Sequence, residues 1–330
     1  GYAGRYTTDT SVKETVSNIS SAGDIRMSAG DSILLKAAGV HASETLQLTA
    51  DRNIDISTAR DTETRQGWYG SSSTKSTSQG SELGGKQVVI LAGNDINNAG
   101  GQVIATDKLI ASAGRDINVV TTTISNASSK WAGNSDTSTA VDKVAGLYVT
   151  GTGEGNTLIA QAGRDMTLTG GVIANAGVNG QTSLVAGNNL TLNTVAVAST
   201  HDEVRNADNY RKESKTGEVG SQIMGAGNVN LQAGHDLLAR AADVQAGGTL
   251  GLVAGNDISL VNGFQNEVTD VASKSTKKGF WNKTTTTKHD MVDTTTAIGT
   301  SQQRDGAGGA RSASHGLEHL ERRCDAITRR

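Results

Sequence analysis

Proline is absent from the 330 residues, aromatic side chains make up 3%, and there is one cysteine, Cys324. Each scarcity argues against a class of structure. Without proline every backbone N–H is free to join a ladder, as strands paired on both edges require. With so few rings a conventional globular core, which leans on large aromatic side chains, is disfavoured; a narrow bore filled by Val, Ile, Leu and Ala needs none. A single cysteine makes no internal disulfide, so stability has to come from stacking. No apolar run approaches the roughly 18 residues of a transmembrane helix. The 30 basic and 33 acidic residues nearly cancel, to −3, which leaves no overall nucleic-acid footprint. The chain opens on Gly1 with no signal peptide and reads as an internal fragment of a longer polypeptide.

What is present is a repeat. Ala92-Gly93-Asn94-Asp95-Ile96 and Ala113-Gly114-Arg115-Asp116-Ile117 have their glycines 21 residues apart, and short runs of Val, Ile, Leu and Ala flank both. Ala-Gly followed by Asn or Arg and then Asp predicts a tight turn, with Gly supplying φ > 0 and the Asp capping its own turn. The flanking runs of four or five β-prone residues predict strands. The period is too short for a βαβ unit, which needs about 30 residues. One coil of a β-solenoid per period fits.

The same turn recurs along the chain. Its glycine position is taken by Gly30, Asp51, Gly93, Gly114, Gly163, Gly187, Gly234 and Gly255, and the turn residues Asp95, Asp116, Asp165, Asn189, Asp236 and Asp257 follow. Apolar residues alternate after the turns, as in Leu46/Leu48, Ile54/Ile56, Met166/Leu168, Leu190/Leu192 and Ile258/Leu260. A period of two sends one face of each strand into the bore. The coils come in pairs with a super-period near 70 residues, and polar Ser/Thr/Lys/Asn insertions separate the pairs at about 58–87, 121–156, 196–226 and 262–300.

Three regions follow: a lead-in with a partial coil over 1–29, the coils and insertions over 30–300, and an unassigned Gly/Arg-rich tail over 301–330. The insertions have a disorder-prone composition, but β-branched alternation such as Lys283-Thr284-Thr285-Thr286-Thr287-Lys288 also allows polar two-stranded extensions. Order is expected to be greater in the fourth and lower in the first. All ten aromatics are expected outside the coils, Tyr148 among them in the second insertion. Trp68, Tyr69, Trp131, Phe280 and Trp281 are candidate partner or membrane contacts; the alternative is that each ring packs across its own hairpin.

Enzyme-like signals are weak. His315-Gly316-Leu317-Glu318-His319 fits the H-x-x-E-H pattern of inverted zinc peptidases, but it holds a helix-weakening Gly in the last sixteen residues. The Gly-x-Asp turns share two residues with the calcium-binding nonapeptide, yet they recur every 21 residues or more, too far apart to share ions between successive turns. Carbohydrate-active β-helices need converging carboxylates, and Asp51 with Asp55 is the only close acidic pair within a coil. No catalytic, metal or cofactor-binding residue is assigned.

The turns AGNDI at 92–96, AGRDI at 113–117, AGRDM at 162–166, AGNNL at 186–190, AGHDL at 233–237 and AGNDI at 254–258 resemble the haemagglutinin repeats of filamentous-haemagglutinin-type exoproteins, contact-dependent growth-inhibition toxins included. The likeness covers about residues 22–300. It implies an all-β fold, a right-handed parallel β-helix with polar hairpin or loop extensions. It further implies a monomeric rod of a secreted Gram-negative exoprotein, exported through an outer-membrane two-partner-secretion transporter. Such a rod would act at a target-cell surface or outer membrane, as an adhesin or as a stalk presenting a carboxy-terminal toxin, with no nucleic acid and no cofactor. The alternatives are a carbohydrate-active enzyme and a receptor- or membrane-binding module acting through the aromatic-bearing extensions.

Overall fold

The computed structural model describes residues 8–67, 70–130, 133–278 and 282–299, and its regular elements are all strands. Twenty-two of the strands build two parallel sheets that close round a common core as three walls. The first wall stacks Ser17–Ser21, Ala38–Ala42, Gly146–Val149, Val172–Asn175, Gln222–Gly225 and Asp243–Ala246 with the leading parts of Glu82–Ala92 and Gln102–Ala113. Those two long strands bend at the corner and continue into the second wall, beside Ile25–Ala29, Thr45–Ala50, Thr157–Ala162, Gln181–Ala186, Asn228–Ala233 and Leu250–Ala254. The third wall runs from Ile33–Lys36 to Ile258–Val261. One strand from each wall makes a coil, so eight coils are stacked, and at about 4.8 Å per coil the rod is on the order of 40 Å long. The fold is a parallel β-helix, as the repeat period and the alternation of apolar residues predict.

Parallel register carries the alternation of each strand into columns. Ile25, Leu46, Val88, Leu109, Leu158, Thr182, Val229 and Leu250 form one inward column of the second wall. Leu46, Val88, Leu109 and Leu158 are fully buried. Burial of each such side chain favours the coil by about 1.5–3 kcal/mol, and most of it is gained only when the next coil arrives. Asn98 interrupts a third-wall column between Ile56 and Val119. Its amide turns back to the corner, donating to Gly101 O at 2.9 Å and accepting from Gly101 N at 2.8 Å.

The Ala-Gly turn links the second wall to the third, and its glycines are there for a reason other than the one expected. None of them has positive φ. Instead a Cβ on Gly93, Gly114, Gly163, Gly187, Gly234 or Gly255 would lie 2.0–2.2 Å from the carbonyl oxygen of the same turn one coil back. Close backbone approach selects glycine here.

The Asx residues also differ from expectation: the hydrogen bonds of all but the last cap the turn of the following coil. Ser32 Oγ accepts from Asn53 N, and Asn53 Oδ1 from Asp95 N, both at 3.3 Å. The column continues through Asp95, Asp116, Asp165, Asn189 and Asp236, whose side-chain oxygens accept from Asp116 N, Asp165 N, Asn189 N, Asp236 N and Asp257 N at 3.1–3.2 Å. In four turns the variable residue before the Asx reaches back to the same acceptors. Arg115 grips Asp95, Arg164 grips Asp116, and Asn188 and Asn256 donate to Asp165 and Asp236 at 2.8 and 2.9 Å. The Arg115 side chain, helped by the Asp116 N–H, overcomes burial and holds the Asp95 carboxyl below the usual carboxylate range.

The third corner alternates between two solutions. In four coils it is a tight turn carrying one left-handed residue, Ala37 (φ 47), Gly100 (φ 73), Gly170 (φ 58) or Ala241 (φ 45); the glycines adopt this freely, and the alanines accept a steric cost of roughly 1–2 kcal/mol. In the other four coils a hairpin leaves the rod. Buried hydroxyls pinch the bases of the first and third: Ser81 Oγ donates to Ser57 O at 2.7 Å and Ser221 Oγ to Asn193 O at 2.8 Å.

The hairpins correct three expectations. The first is as regular a hairpin as the others, Ala59–Gln66 with Ser72–Gln79. The insertions are shorter than their sequence bounds, because Glu82 onward, Gly146–Val149 and Gln222–Gly225 are coil strands. Tyr148 therefore belongs to a coil, on the outer side of the first wall. Its ring covers Gly146, where a Cβ would lie 2.3 Å from it, and burial pushes its phenol upward.

Candidate functional site

The second, third and fourth hairpins are Thr123–Lys130 with Asn134–Val141, Val195–Asn206 with Asn209–Val219, and Gly263–Lys278 with Lys283–Ile298. Their Thr-rich, proline-free strands suit β pairing, yet they carry too few apolar residues to cover a face. They pair with one another instead. Together with Thr8–Val12 they make one nine-stranded antiparallel sheet alongside the rod, each hairpin's returning strand hydrogen-bonded to the next hairpin's leading strand. This fin leaves no mark in the sequence, because pairing between polar hairpins 50 or more residues apart has no hydrophobic pattern to reveal its register.

Register divides the fin into two unlike faces, since directly opposed residues share a side. One face carries the row Thr10, Thr64, Thr74, Ala127, Thr137, Thr200 and Ser214. Its hydroxyls bond across the seams, Ser72 to Ser129 at 2.9 Å and Thr137 to Thr200 at 2.6 Å. The other face is charged, with Asp9, Arg65, Ser73, Ser128, Asp136, His201 and Glu213 in one row.

Two histidines make ion pairs in the fin, one of them across a seam. His201 of hairpin three places Nδ1 2.5 Å from Asp136 Oδ1 of hairpin two and Nε2 3.5 Å from Glu203. Glu213 stands opposite His201 and is held by Arg211; Lys215 lines the same shallow cleft, and Lys130 acts on Asp136. The Asp136 carboxylate raises the His201 imidazole, and His201 lowers Asp136. At the next seam Tyr210 OH of hairpin three reaches Asp270 of hairpin four at 3.3 Å, and within hairpin four His289 Nε2 lies 2.6 Å from Asp270 Oδ1. Partial burial, then the Asp270 carboxylate, push the Tyr210 phenol upward.

The first pair makes the seam pH-dependent. The raised imidazole contributes fully below the ordinary histidine pKa and is lost as pH rises through its raised value; the lowered carboxylate contributes above the ordinary range and is lost on acidification. The His201–Asp136 seam is thus firmest between about pH 4 and 6.5. Thermal melts of His201→Gln against the parent should show a larger gap at pH 6 than at pH 9. An equal gap at both would remove the ion pair from the account.

Glu218 ties the fin to the rod. Burial favours its neutral form, but the Phe264 N–H at 2.8 Å, Arg240 at 2.9 Å and the Thr194 hydroxyl at 3.2 Å together hold the carboxyl below its usual range. Arg240 also lies 5.8 Å over the Phe264 ring. The sequence marked none of these residues; an acid at the foot of one insertion and a basic residue on the following coil was the only available signal.

The candidate chemistry distributes as follows. Among the described residues no group of three or more His, Cys, Asp or Glu is placed to hold a metal ion. Asp55 lies on the outer side of the third wall, where it accepts from Asn97 at 2.8 Å, and Asn97 in turn from Asn118 at 2.9 Å. Asp51 lies in the turn column, where its backbone N–H donates to Ala29 O, so the two residues belong to different ladders. An apolar cleft of about 460 Å³ on the first wall is bounded by Ala174, Met224 and Gln245 and has no charged lining. Trp68, Tyr69, Trp131, Phe280 and Trp281, the H-x-x-E-H segment and Cys324 lie outside the described residues.

Neither the curated proteins nor the solved structures contain a match to this chain. A family model described as hemagglutinin repeat matches residues 1–75, 68–202 and 202–322. With nearly the whole sequence matched, with turns and core columns that recur in every coil and hairpins in every second one, the chain belongs to the hemagglutinin repeat family.

Proposed function

We propose that the chain is a stalk segment of a large secreted Gram-negative cell-surface haemagglutinin, a spacer that carries its polar hairpins, and a toxin domain where one is appended, toward a target cell. The observation that supports this reading best is the continuity of the rod: one core, one turn column and one fin run through all eight coils. A body built this way transmits position along its length and needs no ligand to fold. The hairpins, exposed on both faces of the fin, are the surfaces available for contact. Proteins of this family are generally two-partner-secretion substrates, and a fold in which each emerging coil stacks on the last suits export through such a transporter.

Deleting residues 146–221 removes the fifth and sixth coils with hairpin three and joins the fourth coil to the seventh, whose first strand Gln222–Gly225 holds the same register as Gly146–Val149. The shortened exoprotein should be exported, keep a strand-dominated circular dichroism spectrum, lose about 10 Å of rod, and retain cell contact at reduced reach. Contact abolished in a protein that is still exported and folded would overturn the spacer reading.

A further inference from the structure

The four hairpins differ in reach. Their leading strands are 8, 8, 12 and 16 residues long. Hairpin four pairs with hairpin three only from Asn266 to Ala272. The last ties are at Lys274, whose N–H donates to Asn209 Oδ1 and whose Nζ meets Asp208, both at 2.9 Å. Beyond this point Ser275–Lys278 and the answering strand from Lys283 project as a two-stranded spike, almost wholly exposed.

The charge on the spike is of one sign. From Val271 to Lys288 there are five lysines and no Asp or Glu. Register sets Lys278 directly opposite Lys283 on one face, while Lys277 and Lys288 take the other. Like charges directly opposed in a sheet are destabilising. The lysines in ion pairs among the described residues are Lys36, Lys86, Lys215 and Lys274; Lys277, Lys278, Lys283 and Lys288 are not among them. A hairpin end that concentrates uncompensated cations and stands clear of its own sheet is complementary to an external anionic surface.

We propose that the spike of hairpin four docks on an anionic lipid bilayer, with its lysines at the headgroup phosphates; this rests on the reading of the hairpins as contact elements. Shape favours a plane over a chain: the spike is two strands wide, has no groove, and carries charge on both faces and at its end. Brought end-on to a membrane, its ammonium groups enter the layer of about 8–10 Å within which surface potential acts. Lysine supplies point charges, without the planar fork by which arginine reads phosphodiesters and base edges.

The test is flotation of the whole chain with vesicles of phosphatidylcholine and phosphatidylglycerol, against phosphatidylcholine alone. Binding should need the anionic lipid and vanish in molar salt. Each lysine is worth about five-fold, so the combined K277Q, K278Q, K283Q and K288Q variant should lose on the order of a hundred-fold or more. The corresponding arginine variant should retain binding, and Lys75→Gln on hairpin one should leave it unchanged; matching circular dichroism spectra verify that every variant is folded. Equal binding to both vesicle types, an unaffected quadruple glutamine variant, or tighter capture by soluble heparin than by vesicles would each overturn the lipid assignment. A chain that ignores vesicles but still mediates cell contact refutes this inference and leaves the stalk reading in place.

Discussion

Gly187→Val is expected to break the stack between its fifth and sixth coils, at a cost of about 3 kcal/mol or more. The new Cβ would be 2.2 Å from Gly163 O, and the obstacle is a carbonyl fixed in a ladder rather than the end of a flexible side chain. Relief requires the two coils to separate, which gives up the hydrogen bond from Gly187 N to Ala162 O and the adjoining apolar contacts. Because each coil touches only its neighbours, damage of this kind divides a solenoid into two shorter cooperative blocks. A urea melt should therefore change from one transition to two. Gly30 holds the same place in the repeat, but a Cβ there meets nothing within 4 Å, so Gly30→Val should stay within about 0.5 kcal/mol of the parent. Equal losses at the two sites would mean that the column selects glycine for its backbone freedom after all.

The second large effect lies in one inward column, where adjacent positions should respond with opposite sign. Leu158 is fully buried against Leu109 on one side and Thr182 on the other. Leu158→Ala removes buried methyl groups from a bore whose width is fixed by three hydrogen-bonded walls, so the cavity cannot collapse, and about 3 kcal/mol should be lost. Thr182 stands in the same apolar column with a buried hydroxyl that has no hydrogen-bond partner. Replacing it by the nearly isosteric valine removes that desolvation cost and should stabilise the rod by about 1–2 kcal/mol. Equilibrium melts of the two variants decide the matter, and a destabilised Thr182→Val would show that the hydroxyl finds a partner in solution.

The coils were legible in the sequence because their signals are local. Leu46 and Leu48, or Ile54 and Ile56, alternate within a few residues of a turn, and the turn recurs at 21 to 24 residues within each pair of coils. The hairpins were legible as insertions, but their union into a fin was not. Thr137 meets Thr200 through a register that no apolar residue marks, and Asp136 meets His201 across 65 residues. Glycine marks the turn in the sequence, but its reason does not show there, because a single repeat does not reveal the carbonyl of the coil beneath it. The place of Tyr148 in a coil is hidden for a related cause: with coil and insertion both rich in small residues, composition alone does not mark where a hairpin ends and a wall resumes.

The alternation of tight corner and hairpin couples two ladders that grow together. A coil added to the rod with its strands slipped by one residue would turn its apolar side chains outward, and it would also carry its hairpin out of step with the preceding one. Either ladder alone could stall in such an error, most readily the fin, where Thr opposite Ser is nearly as good as Thr opposite Thr. Joined, each vetoes the other's mistakes once per super-period. The polar sheet thus acts as a proofreader for the apolar core, and the core as a ruler for a sheet too uniform to measure itself.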